Sequence, residues 1–207
     1  QLIQEDNAST SRTKVYAYDN GGNITSIKEY YYLSSSLLSS TDYVYGDDNW
    51  KDKLTSVGNK DITYDGAGNP LTYDGWSYSW EAGRQLQRMS SLGTTIDYTY
   101  DQDGMRTGKR VNGTLTSYIY NNGILVAQKT GTSTPLYFRY HSNGKPVSVN
   151  YNGTEYFYAT NIFGDILEIT DSEGNVQVSY TYDPWGNILY TSGSMATTLG
   201  KVNPLRY

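Results

Sequence analysis

The chemistry open to this 207-residue chain is bounded first by what it lacks. It has no cysteine and a single histidine, His141. Thiol catalysis, a disulfide framework and a Cys-ligated zinc site are excluded, as is any site needing two imidazoles. Serine is abundant, but no Gly-x-Ser-x-Gly turn and no second histidine accompany it, so there is no nucleophile–base pair. Asp47-Asp48 and Asp101-Gln102-Asp103-Gly104 cluster carboxylates as a calcium site does. Neither closes a twelve-residue loop on a terminal Glu, and turn chemistry accounts for both. Asn23-Ile-Thr25, Asn112-Gly-Thr114 and Asn152-Gly-Thr154 match glycosylation sequons, each in a stretch with turn character. The expectation is no catalytic residue, no metal and no cofactor.

What remains is aromatic surface. Tyrosine supplies 23 residues and tryptophan four. Rings flanked by Asn, Asp and Ser suit glycan stacking, and Trp76, Tyr78, Trp80 and Trp185 are the candidate glycan-facing positions. The competing reading is a ladder of rings that holds strands together, favoured because the rings recur at a fixed period. Sixteen Lys and Arg against 21 Asp and Glu leave the chain at −5, a poor match to a phosphate backbone. The longest aliphatic run, Ile124-Leu-Val-Ala127, is far too short to span a bilayer. Neither nucleic acid nor membrane insertion is expected. A chain that opens on Gln1 is expected to be an excised piece of something longer.

The elements that must position these rings are repeats. An aromatic-x-aromatic triplet recurs, its second aromatic falling at 18, 45, 64, 80, 100, 120, 140, 158 and 182. Three consecutive steps are 20 residues each. The triplet is followed by Asp-x-x-Gly-Asn or a variant. Its members are Tyr16, Tyr18, Asp19, Gly21 and Asn23; Tyr64, Asp65, Gly68 and Asn69; Tyr98, Tyr100, Asp101 and Gly104; and Tyr180, Tyr182, Asp183, Gly186 and Asn187. Asp accepts backbone N–H groups two residues on, and Gly supplies a positive φ. His141 occupies the Asp slot of its own repeat, which explains it without catalysis.

Each repeat then reads as a hairpin. A strand leaves the Asp turn, reverses at Asp74-Gly75, Asn112-Gly113 or Asn152-Gly153, and returns with the next triplet. Alternation in the return strands is strict: Trp76, Tyr78 and Trp80 against Ser77 and Ser79; Val176, Val178, Tyr180 and Tyr182 against Gln177, Ser179 and Thr181. One face is expected to be aromatic and the other small and polar, with stacked ring pairs worth roughly 0.2–1 kcal/mol each. The fold class is all-β. Glu29 to Ser40 interrupts the period and is expected to be an insertion or a short helix; residues 1–13 are expected to be a frayed or connecting arm. Glu81 to Leu92 has helical propensity, but Trp80-Glu-Ala-Gly83-Arg84 sits in the repeat register and is assigned to the repeats.

Tyr16-Ala-Tyr18-Asp19-Asn-Gly-Gly-Asn23-Ile24 and Tyr180-Thr-Tyr182-Asp183-Pro-Trp-Gly186-Asn187-Ile188 closely resemble the YD repeat of Rhs proteins, wall-associated proteins, toxin-complex C components and teneurins. Tyr156-Phe-Tyr158, Asn161-Ile-Phe-Gly164-Asp165 and Gly200-Lys-Val-Asn203-Pro204-Leu-Arg206-Tyr207 resemble the start of the Rhs-associated core. The resemblance implies repeats over 14–155 and the opening of that core over 156–207. It implies a spiralling, shell-like sheet, a partial cocoon of sixteen to eighteen strands at about twenty residues per hairpin. It further implies a non-enzymatic segment of a bacterial shell that encapsulates or presents a C-terminal toxin, secreted or wall-associated. The partners expected are that cargo and the rest of the shell, with self-association through open strand edges. A carbohydrate- or surface-binding adhesive module is the alternative. The family's self-cleavage role is not carried to Asp183-Pro184-Trp185-Gly186, which sits in an ordinary repeat turn.

Overall fold

The computed structural model describes all 207 residues, which form twenty strands and one four-residue helix. The chain divides into two compact units, Gln1–Thr95 and Ile96–Tyr207. The first contains β1 (Gln4–Asn7), β2 (Arg12–Tyr18), β3 (Ile24–Tyr31), β4 (Leu37–Val44), β5 (Ser56–Val57) and β6 (Lys60–Asp61), hydrogen-bonded in that order. It continues with β7 (Thr63–Tyr64), β8 (Pro70–Tyr73), β9 (Trp76–Glu81) and β10 (Gln85–Ser91). The boundary falls inside β11 (Thr94–Tyr100). The second unit adds β12 (Arg106–Val111), β13 (Thr114–Asn121), β14 (Ile124–Thr130), β15 (Leu136–Tyr140) and β16 (Pro146–Tyr151). Then come β17 (Thr154–Thr160), β18 (Ile166–Thr170), β19 (Val176–Tyr182), β20 (Ile188–Ser192) and α1 (Leu199–Val202).

The strands pair antiparallel with their sequence neighbours, as hairpins require. The reversals use left-handed backbone where the dipeptides called for it: Asn112 and Gly113 have φ of 45° and 88°, Asn152 and Gly153 of 51° and 86°. Both central residues at positive φ define the two-residue turn whose twist matches a hairpin.

Register fixes the faces of the second unit. Tyr98 pairs with Lys109, which pairs with Thr116; Tyr118 pairs with Gln128, and Gln128 with Leu136. Further along, Phe138, Val149 and Tyr156 align, as do Tyr158, Ile169 and Val178. This is the aromatic face. Its buried cluster comprises Leu136, Phe138, Val149, Ile166, Ile169, Val178 and Tyr180, closed by Leu199 of α1. Val149, Ile169, Val178 and Leu199 have no exposed surface, and each such side chain contributes roughly 1.5–3 kcal/mol.

Three expectations need correction. Glu29 to Ser40 is not a helix: Glu29 lies in β3 and Leu37 to Ser40 in β4, and the extra residues of this repeat lengthen a hairpin of two eight-residue strands. Residues 1–13 do not fray, because β1 pairs with β2 from Gln4↔Val15 to Asn7↔Arg12. The face opposite the rings is not uniformly small and polar, since Ile119, Tyr137 and Phe157 stand on it exposed. The strand count exceeds expectation because β5, β6 and β7, of two residues each, punctuate the stretch after Trp50. The assignment of Glu81 to Leu92 to the repeats holds, with β10 paired to β9.

Candidate functional site

The repeat turn is built around one carboxylate. Asp65 accepts the Ala67 and Asn69 backbone N–H groups on Oδ1 at 2.9 and 2.8 Å, and the Asn69 amide donates to Oδ2 at 2.8 Å. Asp65 N–H donates to Asn69 O at 2.9 Å, and Gly68 N–H to Asp65 O at 3.1 Å. Asp19–Asn23 and Asp183–Asn187 repeat the backbone bonds, the Asx contact and the amide–carboxylate pair. Asp101 keeps the backbone pattern with Met105 in place of Asn. These donors favour the charged carboxylate: the Asn23 and Asn69 amides hold Asp19 and Asp65 below the usual range, and the Asn175 backbone N–H does so for Asp171.

Two turns use other chemistry in the same frame. His141 N–H donates to Lys145 O and Gly144 N–H to His141 O, both at 2.9 Å, so its imidazole stands where a turn Asp would. At Asn161 and Asp165 the pair is reversed: Asn161 Oδ1 takes the Phe163, Gly164 and Asp165 N–H groups, and its amide donates to Asp165 Oδ2 at 2.6 Å. The turn glycine of the first repeat is Gly22 (φ 92°), not the expected Gly21, which lacks a positive φ. Gly22 is the third residue after Asp19, as Gly68, Gly104 and Gly186 are after their Asp residues.

A one-residue bulge follows these turns. Ala17 pairs with Ser26 but Tyr18 with Ile24; Thr99 pairs with Gly108 but Tyr100 with Arg106. The same slip occurs at Thr63/Tyr64, Ile119/Tyr120, Arg139/Tyr140 and Thr181/Tyr182. A bulge disrupts the ladder and leaves a backbone group to be satisfied elsewhere. The next repeat's second aromatic does so. Tyr45 Oη donates to Ile24 O (3.1 Å), Trp80 Nε1 to Pro70 O (2.7 Å), Tyr120 Oη to Arg106 O (3.0 Å) and Tyr140 Oη to Leu125 O (2.6 Å). Tyr182 Oη does the same to Ile166 O (2.7 Å). The aromatic period is thus a hydrogen-bond tie between repeats, which ring stacking alone did not anticipate.

In the second unit the segment after β20 crosses the aromatic face. Met195 N–H donates to Gln177 O, and Gly200 packs on Val178 and Thr191. Tyr180 Oη donates to Gly200 O (2.9 Å), Gln128 Nε2 to Val202 O (3.3 Å) and Tyr158 Oη to Asn203 Oδ1 (2.8 Å). Ile166 N–H donates to Arg206 O at 2.7 Å, and the Tyr207 ring lies against Gly186, its centroid 5.7 Å from that of Tyr182. This strap is polypeptide of the same chain, held on the face by side-chain donors to its carbonyls.

The family model described as "Teneurin YD-shell" matches residues 1–200. The chain belongs to the teneurin YD-shell family. Over 203 residues this YD-shell chain is 30% identical to the tRNA3(Ser)-specific nuclease WapA of Bacillus spizizenii and 32% identical to the tRNA nuclease WapA of Bacillus subtilis strain 168. Each alignment covers 94% of this chain and 8% of the relative, so the chain spans under a tenth of either nuclease. Its fold matches the crystal structure of TcdB2-TccC3 without the hypervariable C-terminal region, with a TM-score of 0.71 at 18% identity, over 95% of this chain and 11% of that one. The TcdB2-TccC3-Cdc42 structure matches at 0.68, with the same coverages.

Within this YD-shell fold Asp19, Asp65, Asp101 and Asp183 stand in the turns, and Trp80, Tyr120, Tyr140 and Tyr182 make the ties. The candidate glycan-facing rings are divided between the two units. Trp76, Tyr78 and Trp80 are half-buried on β9, and the indole N–H of Trp80 is committed to Pro70 O. Trp185 sits in the Asp183 turn of the other unit and is 46% exposed. Sequence reasoning missed Asn203, buried at 1% exposure, and Arg206, whose guanidinium lies 5.4 Å from the Tyr180 ring. Both belong to the Asn-Pro-Leu-Arg-Tyr stretch, whose resemblance was the only signal for them. No helix is long and apolar enough to cross a membrane.

Proposed function

We propose that this chain is a structural, non-enzymatic segment of a YD shell that encloses a C-terminal toxin polypeptide. The observation that carries this reading is the strap, a stretch of polypeptide lying on the aromatic face and held by Tyr158, Tyr180 and Gln128. The aromatic face is the one turned toward cargo, and the bulge-and-tie system joins repeats into a wall. The nuclease names of the two WapA relatives fit a cargo outside this segment, since the chain aligns with 8% of each. Containment is the mechanism: a sheet that satisfies its own backbone excludes proteases and holds the cargo inactive. Secretion or display at a bacterial wall, and pairing of open strand edges with the rest of the shell, belong to the same reading.

The test is protection. The native-length polypeptide, treated with a broad-specificity protease and followed by mass spectrometry, retains its segment C-terminal to the repeats while surface loops are nicked. Rapid loss of that segment with the repeats intact overturns enclosure.

A glycan-binding role has one observation in its favour, an open groove of about 430 Å³ lined by Tyr73 and Trp76 with Lys60, Asp61 and Asp74. Saturable binding on a glycan array, abolished by Trp76→Ala, supports it; indifference to that substitution removes it.

A further inference from the structure

The strap does not cover the whole aromatic face of the second unit. Beside Val202 and Asn203 a cleft of about 300 Å³ opens over β12 and β13, lined by Lys109, Thr116, Tyr118, Gln128, Lys201 and Arg206 among others. Its lining holds three cations and no carboxylate, in a chain whose net charge is −5. Arg106 flanks it, its guanidinium 5.2 Å from the Tyr118 ring and 5.6 Å from that of Tyr98. None of these four cations lies within ion-pair distance of an acid. Arg206 spends Nη2 on the carbonyls of Gly200 and Lys201, while its Nε is buried with no partner. Four like charges gathered on one patch repel one another, a cost that a bound anion removes.

We propose that this cleft is a binding site for an extended polypeptide segment bearing Asp or Glu side chains. It rests on the reading that the aromatic face holds polypeptide, and it names the chemistry that face selects. The cleft continues the track of the strap, on the same face, with Gln128 shared between the two. The strap shows the mode: backbone carbonyls accept from Tyr and Gln donors. Lys109, Lys201, Arg106 and Arg206 add charge-assisted donors for carboxylates at the strap's flank. The Tyr118 ring, with Arg106 stacked near it, provides the apolar floor for the stem of a Glu.

Fluorescence anisotropy of a labelled hexaglutamate peptide, titrated with the 207-residue chain at low ionic strength, tests this. The expected result is saturable binding, with hexaglutamine not binding and affinity falling as salt is added. Lys109→Gln combined with Lys201→Gln weakens it about fivefold or more. Neither lysine side chain makes a hydrogen bond within the fold, so circular dichroism of the double variant stays that of the parent. The proposal is overturned if hexaglutamate does not bind, if the double variant binds it equally, or if a hexathymidylate oligonucleotide binds as tightly. Failure here with the cargo still protected from protease removes this inference and leaves enclosure standing. Loss of protection with hexaglutamate binding intact removes enclosure instead.

Discussion

Tyr158 donates its hydroxyl to Asn203 Oδ1 at 2.8 Å, a bond between residues 45 positions apart. In neighbouring repeats the second aromatic ties to a carbonyl just past the preceding turn, and Pro146 holds that place for Tyr158. The strap has taken a donor that the repeat pattern assigns to the sheet. Asn203 is 1% exposed, so Tyr158→Phe strips a partner from a buried amide and is expected to cost about 1–3 kcal/mol. Tyr140→Phe, which removes an ordinary tie, is expected to cost about 0.5–1.5 kcal/mol. Urea denaturation checks both. A double variant Tyr158→Phe/Asn203→Ala loses less than the two single losses combined; strict additivity shows the pair to be uncoupled.

Gly22 and Gly21 separate turn geometry from motif appearance. Gly22 sits at φ 92°, where an L side chain is strained, and Gly22→Ala is expected to destabilise by about 1–2 kcal/mol. Gly21 is not left-handed, and its added methyl meets only side-chain atoms of Asn23, Asp19 and Asp52 at 3.3 to 3.4 Å. Gly21→Ala therefore costs well under half as much. Equal losses by thermal denaturation contradict the assignment.

The turn carboxylates set the acid limit. Asp19, Asp65 and Asp171 are held below the ordinary value, so the folded state binds fewer protons than the unfolded one. Their contribution is complete above the ordinary carboxylate value of roughly 3.9 and is lost as pH falls through the lowered folded values. Melting temperature is expected to be flat between about pH 5 and 7 and to drop below about pH 4. In Asp65→Asn the drop is shallower, because one such group no longer titrates.

At the alkaline end the sign reverses. Burial pushes Tyr182 up to about 12, so its contribution is present below the ordinary phenol value near roughly 10 and is lost as pH climbs to about 12. Tyr158 and Tyr180 move the same way for the same cause. Spectrophotometric titration of phenolate is expected to show a late-titrating component. Tyr182→Phe is expected to shrink that late component by one phenol while Tyr158 and Tyr180 remain in it; an unchanged late component, or none in the parent, contradicts the assignment.

The hairpins, the Asp turns and the aromatic face were legible because each rests on local chemistry. Asp65 and Asn69 close a turn within five residues, and Asn112-Gly113 sets a hairpin by itself. The His141 slot was legible for the same reason, by its distance from Tyr140. What sequence could not show is set by pairing across strands. The bulge at Tyr100 exists only relative to Arg106, and the tie from Tyr120 to Arg106 O depends on that bulge. Gly21 and Gly22 are the same letter side by side; the Asp-x-x-Gly spacing favours Gly22, and the backbone φ settles it. The role of Asn203 and Arg206 depends on the strap folding back over strands far earlier in the chain.

The central claim is that the aromatic face looks toward enclosed polypeptide. Thr116 and Ser117 are adjacent on β13 and point to opposite faces, Thr116 toward the cleft. A photo-crosslinking amino acid placed at each position in turn, in the native-length polypeptide, reads the two faces directly. Crosslinks from position 116, and not from 117, to the segment C-terminal to the repeats are the predicted result. Crosslinks to that segment from 117 alone, or from neither position, contradict the account.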